Sequence, residues 1–164
     1  MRAISRLVIH HSASSAGNRD VIDQWHRARG FDGIGYHEII GNGLGCPDGH
    51  IQRGRDHSRT GAGVYGANSG ALHVCLIGDF TQTYPTWRQY AALGHWLLVN
   101  GERYSVLPAG IVGHREIAKP GHATACPGRL PLSFLRLWYA LRQEAGTLES
   151  LEAWLSRRDV EIRA

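Results

Sequence analysis

The sequence predicts a single α/β domain built on a central mixed β-sheet flanked by helices. Two observations lead there. The chain has 164 residues, 43% of them hydrophobic, enough to bury one sizeable core and too few for two ordinary domains. Along it, short apolar runs bounded by turn residues alternate with segments of helical spacing.

Arg6 to His10 (RLVIH) reads as a short buried strand that ends at a Ser-rich loop. From Asn18, a candidate N-cap, Val21, Ile22 and Trp25 carry helical spacing that Gly30 should stop. Gly35 to Ile40 (GYHEII) is predicted as a second strand, with Tyr36, Glu38 and Ile40 on one face and His37 and Ile39 on the other. The Gly-rich stretch 41–49 forms a loop before a short strand, His50 to Arg53. Leu72 to Ile77 (LHVCLI) is the strongest strand and should be central, closed by Gly78-Asp79. Pro85 to about Asn100 is the best helix, with Thr86 as N-cap, a Trp87, Tyr90, Leu93, Leu97 stripe, and Gly101 behind it. Ile111-Val112 leads through Gly113 into His114, and a Gly/Pro-rich loop runs to Pro127-Gly128 before a third helix over 131–145. The chain thus divides into a main domain, 1–145, and a charged helical C-terminal appendix, 146–164.

Composition narrows the function. No stretch approaches the roughly 20 apolar residues that span a bilayer, and the only apolar run near the start, Leu7 to Ile9, is far short of a signal-peptide core. The expected place of synthesis is therefore the cytoplasm. Three cysteines, Cys46, Cys75 and Cys126, cannot all pair, so at least one is a free thiol or a metal ligand. A net charge of +4 and a pI near 9.3 favour an anionic partner. Without runs of like charge or aromatics along a basic strip, no nucleic-acid partner is expected.

Catalytic zinc takes three protein ligands from His, Cys and carboxylates and keeps a fourth position open. His10 at the end of the first strand, His114 after a later strand and Cys126 twelve residues beyond it satisfy that rule if they converge at one edge of the sheet. Their spacing fits no local zinc-finger pattern, so spacing alone leaves the convergence open.

Four segments in order, VIHHSAS, GYHEII, NSGALHVCLIGDF and GHREI…TACPG, resemble the zinc N-acetylmuramoyl-L-alanine amidases, a superfamily that includes peptidoglycan recognition proteins and amidase-type phage lysozymes. The likeness runs from about residue 6 to residue 140. It implies a Zn2+ site at one edge of the sheet, in a surface groove, with His10, His114 and Cys126 as ligands. Tyr36 falls at the family's active-site tyrosine. Thr124 falls where members carry a lysine or threonine that contacts the reacting carbonyl. Asn68 resembles a substrate-contacting asparagine, although loop asparagines commonly just shape turns.

The activity implied is cleavage of the amide between the muramic acid lactyl group and the L-alanine of the stem peptide. Zinc would lower the pKa of water toward about 7 and polarise the carbonyl, with Tyr36 and Thr124 donating hydrogen bonds. The departing amine needs a proton. Glu38, sharing a predicted face with Tyr36, is the candidate general acid, against the alternative of a solvated or salt-bridged carboxylate. His37 is either a packing residue or a substrate-groove contact. His11 should point away from His10, and His26, His50, His57, His95 and His122 should be surface or packing residues. Cys75 should be a small buried hydrophobe, and Cys46 should be exposed.

Departures from the pattern fall around the groove. The loop 41–48 is longer than in short phage enzymes, Gly63 stands where some relatives have a histidine, and the extended 115–125 segment brings Lys119 as a further candidate to approach the site in place of a charged residue at 124. The expected protein is a monomeric phage or prophage endolysin that acts on peptidoglycan after passing a permeabilised inner membrane. The competing classes are a cytoplasmic muropeptide-recycling amidase, against which Cys126 in place of Asp argues, and a non-catalytic peptidoglycan-binding module, which commonly lacks the cysteine.

Overall fold

The computed structural model describes residues 2–145; the predicted appendix, 146–164, lies outside them. The elements run β1 (Arg6–His11), α1 (Arg19–Ala28), β2 (Glu38–Ile40), β3 (Ile51–Arg53), β4 (Ala71–Leu76), α2 (Trp87–Tyr104), β5 (Ile111–Gly113), α3 (His114–Ile117) and α4 (Leu132–Ala145). They form one sheet of order β3-β2-β4-β1-β5. β2, β4, β1 and β5 are parallel, while β3 pairs antiparallel with β2 at one edge, so the sheet is mixed. β4 lies in the middle, where all six of its residues are buried, as its continuous apolar run predicts.

Alternation along the strands sorts side chains onto two faces. Leu7, Ile9, Ile40, Leu72, Val74 and Leu76 join Leu93, Trp96 and Leu97 of α2 and Leu135 and Trp138 of α4 in the larger core. On the other face Ile39 and Cys75 pack with Ile22 of α1, and Val8 and Ala71 pack with Val64 and Ala67 of a loop. Helices α2 and α4, with loop residues such as Phe80 and Leu130, therefore pack on one face. The other is covered partly by α1 and partly by loops, which leaves room for a site.

Local chemistry sets the helix starts. Asn18 accepts hydrogen bonds from the backbone N–H groups of Asp20 and Val21. Thr86 and Gln89 form a reciprocal capping box at the head of α2. The predicted stop at Gly101 is corrected: α2 continues to Tyr104 and ends at Ser105 in the left-handed region (φ 53°). Gly101 serves packing instead, since a Cβ there would sit 2.0 Å from the Tyr139 hydroxyl of α4. That hydroxyl donates to the Val106 carbonyl at 2.8 Å, so α2 and α4 meet closely only because position 101 has no side chain. Cys75 is buried as expected, but Cys46 is buried too, contrary to expectation. The loop around it folds inward because Gly41 and Cys46 approach so closely that a Cβ on Gly41 would lie 2.5 Å from the Cys46 sulfur.

β2 is shorter than GYHEII suggests, because its ladder begins only at Glu38. His37 precedes it and is buried, with Nδ1 accepting the His73 backbone N–H at 2.9 Å and Nε2 3.1 Å from the Arg59 carbonyl. Burial lowers its pKa to about 4, despite the opposing pull of the Arg59 carbonyl and Glu38. The unfolded chain binds a proton near pH 6.5 that the folded protein refuses, so this group's contribution is fully present above that pH and is lost as pH falls toward 4. At about 1.4 kcal/mol per pH unit between the two values, it amounts to on the order of 3 kcal/mol. Urea unfolding at stepped pH should show stability level above pH 7 and declining between pH 6.5 and 4; a flat profile across that window would contradict a neutral buried His37.

Candidate metal centre

β1 and β5 are adjacent and parallel, with Ile9 opposite Gly113, so their C-terminal ends reach the same edge of the sheet. His10 follows Ile9 and His114 follows Gly113, which makes the two imidazoles neighbours although they stand 104 positions apart in sequence. Their ring centroids are 4.9 Å apart at 62°. The loop after α3 returns Cys126 to the same point, with its sulfur 3.8 Å from His10 Nδ1. One ligand atom from each of His10, His114 and Cys126 lies within 4.8 Å of the others. Open space at the carboxyl ends of parallel strands is where α/β sheets characteristically place ligands.

Backbone contacts hold the cysteine. The His11 N–H points at the Cys126 sulfur at 3.4 Å, the Arg115 N–H donates to the Cys126 carbonyl at 2.8 Å, and the Thr124 hydroxyl accepts the Cys126 N–H at 3.1 Å. Gly113 is what lets this loop pack down, since a Cβ there would be 2.7 Å from Pro127 Cδ. The cluster's electrostatics suit a soft cation. Burial, reinforced by His73 and His114, keeps His10 well below the ordinary imidazole range, and burial with His11 lowers His114. Both therefore offer neutral nitrogen lone pairs. Burial pushes the Cys126 thiol up to about 12 against the His11 N–H and Arg115, so it stays protonated until a cation replaces the proton. Two imidazoles and a sulfur, with no carboxylate among them, fit zinc better than calcium or magnesium.

Tyr36 joins this cluster: its ring centroid lies 4.8 Å from that of His10 and 5.1 Å from that of His26. Burial raises its pKa well above 10, so it remains a phenol and a hydrogen-bond donor. Thr124 sits in the turn that presents Cys126.

Other predicted site residues are placed elsewhere. Glu38 does not share a face with Tyr36, because Tyr36 lies before the strand and Glu38 projects into the larger core. There one carboxylate oxygen pairs with His57 Nε2 and the other accepts the Trp96 indole N–H at 2.9 Å. The salt-bridged alternative is the one realised, and His57, expected at the surface or in packing, is its partner. His37 is buried and held from both ring nitrogens. Asn68 shapes its loop, its amide oxygen accepting from the N–H groups of Gly63 and Val64 at 3.0 and 2.8 Å. Lys119 is exposed and lays its stem along Gly66, beside a stacked Tyr65–His122 pair that joins the two loops at 4.2 Å. His11 turns to the opposite face as expected, where Nδ1 accepts the Phe80 N–H at 3.0 Å.

Two features escaped the sequence. The His11 backbone N–H faces the sulfur, which no side-chain pattern signals. His73, inside the apolar LHVCLI run, is fully buried with Nδ1 3.0 Å from His10 Nε2. Its position two residues before Cys75, which pairs in register with His10, would have pointed to it.

Comparison with known proteins places the chain in a family. A family profile described as N-acetylmuramoyl-L-alanine amidase matches residues 1–129. The chain is 41% identical over 132 residues to an endolysin of Enterobacteria phage K11, covering 75% of this chain and 80% of that one. Among solved structures it resembles the N-acetylmuramoyl-L-alanine amidase LysC from Clostridium intestinale, with a TM-score of 0.74 at 27% identity over 84% of this chain and 85% of that one. It also resembles Drosophila peptidoglycan recognition protein SD, with a TM-score of 0.68 at 26% identity over 84% and 82%. With the profile spanning most of the sequence and a relative at this identity, the chain belongs to the N-acetylmuramoyl-L-alanine amidase family.

Proposed function

We propose that this protein is a zinc-dependent phage or prophage endolysin that hydrolyses the amide between N-acetylmuramic acid and the stem-peptide L-alanine. The convergence of His10, His114 and Cys126 carries the zinc reading. The likeness to a phage endolysin supports the biological role, and access to the wall would follow permeabilisation of the inner membrane. Among the described residues no helix is long and apolar enough to cross a membrane.

His10, His114 and Cys126 would hold the zinc, which when bound supplies Lewis acidity and an activated water at neutral pH. The remaining chemistry falls to the chain. Tyr36, kept as a phenol by burial, donates a hydrogen bond to the negative charge that develops on the carbonyl oxygen as the amide carbon becomes tetrahedral. Thr124 orients the Cys126 backbone and so the thiol. Glu38, engaged by His57 and Trp96 inside the core, is not the source of the proton that the departing amine takes up.

Zinc content and release of new L-alanine amino termini from purified peptidoglycan test the proposal together. The native protein should carry one zinc per chain, and Cys126→Ser should lose both metal and turnover. Stoichiometric zinc without amine release would leave a binding module, and preference for soluble anhydro-muropeptides over intact sacculi would favour the recycling role. Tyr36→Phe should retain zinc while kcat falls by roughly 10²-fold, the typical effect of removing one oxyanion donor; undiminished kcat would remove Tyr36 from the chemistry. Glu38→Gln should lower the melting temperature, with a cost of about 1–3 kcal/mol for disturbing a buried hydrogen-bonded pair, while the folded fraction keeps its turnover. Loss of turnover at unchanged stability would restore Glu38 as the acid.

A further inference from the structure

His73 is a buried imidazole in direct contact with a member of the cluster, and the reaction outlined above does not use it. Its Nδ1 lies 3.0 Å from His10 Nε2, and both side chains are fully buried. We propose that His73 is a positioning residue that fixes His10 in the tautomer able to bind metal through Nδ1. The proposal rests on the zinc reading and extends it to a group outside the ligand set.

The argument follows from proton bookkeeping on two rings. His10 turns Nδ1 toward the Cys126 sulfur at 3.8 Å, so a cation in the cluster requires the lone pair at Nδ1. In a neutral imidazole the proton must then sit on Nε2, which becomes a donor. Nε2 faces His73 Nδ1, which accepts only if the His73 proton is on its own Nε2. The metal-binding tautomer of one ring therefore dictates the tautomer of the other. A ligating histidine commonly gives its second N–H to a carboxylate or carbonyl; here a second imidazole takes that place.

The fold is built around this pair. His73 projects from β4 on the same face as His10, one pleat behind its register partner Cys75. Its ring is stacked on that of His37 at 7°, with centroids 5.7 Å apart, and its backbone N–H donates to His37 Nδ1. Two glycines leave it space: a Cβ at Gly61 would lie 2.4 Å from His73 Cδ2, and one at Gly63 would lie 2.7 Å from His73 Nδ1 and 2.9 Å from His10 Nε2. A side chain at position 63 would push directly into the hydrogen bond. His73 Nε2 is buried and meets no polar partner among the described residues. A ring that satisfies only one nitrogen while buried is costly, and the contact with His10 is the compensation the structure offers.

Zinc affinity measured by chelator competition tests this on the full chain, with His73→Leu and His73→Asn compared with the native protein. Leucine fills the space without an acceptor, whereas the Asn amide oxygen can stand where Nδ1 stood. His73→Leu should bind zinc about 10–100-fold more weakly, the usual effect of losing a ligand's supporting partner, and His73→Asn should stay within a few-fold of native. Nitrogen-15 spectra of the zinc-loaded native protein should show His73 with a bare Nδ1 and a protonated Nε2. Native affinity in His73→Leu, or equal weakening in both variants, would overturn the role, the second because it would mark packing rather than hydrogen bonding. A native protein that takes up no zinc would instead overturn the metal reading and this one with it.

Discussion

The parallel register of β1 between β4 and β5 is the constraint on which the site depends. With Ile9 opposite Gly113 and His10 opposite Cys75, the ends of β1 and β5 come level, and His10 and His114 meet without either strand having to bend. Parallel neighbours need long crossovers, which is why residues so far apart in sequence meet here. A slip of one residue in β1 would turn His10 into the core against Phe80 and bring His11 to the cluster. That slip is opposed by the core itself, since it would also expose Leu7 and Ile9, which now pack under α2 and α4.

Around that register, missing side chains matter as much as those present. Gly113 admits the Pro127 ring, Gly61 and Gly63 admit His73, and Gly101 admits Tyr139. At none of these four positions does the backbone require a positive φ. They are glycine because another group occupies the volume a Cβ would need, so the site and the packing of α4 rest on the same device of close approach.

Several buried polar groups form two chains that approach one another where the His37 and His57 rings lie edge to face, 5.7 Å apart. On the larger-core side Glu38 ties His57 to Trp96, and His57 reaches Tyr104 at 3.0 Å, which anchors β2 to α2. On the site side His37, His73 and His10 follow one another by ring contacts and hydrogen bonds toward Cys126. Alternation along the strand entry assigns residues to these systems, and Glu38, adjacent to His37, belongs to the other one.

Much of this was legible in the sequence. Periodicity, caps and apolar runs place the strands and the longer helices to within a few residues, because those signals are local: a stripe at helical spacing, Thr86 with Gln89, six apolar-leaning residues from Leu72. The single turn of α3, His114–Ile117, is too short to carry such a stripe. The types His10, His114 and Cys126 named a chemistry, and the four ordered segments named a family. Tertiary structure alone decided which side chains share a space. Glu38 was assigned to the face of Tyr36 by counting in twos, and the count failed because Tyr36 lies outside the strand, where the period of two does not apply. His73 is one polar residue in an apolar strand, and only the neighbouring strand's register puts it against His10. Residue types set what chemistry a chain can perform; register and close packing, which join distant segments, decide which residues are placed to perform it.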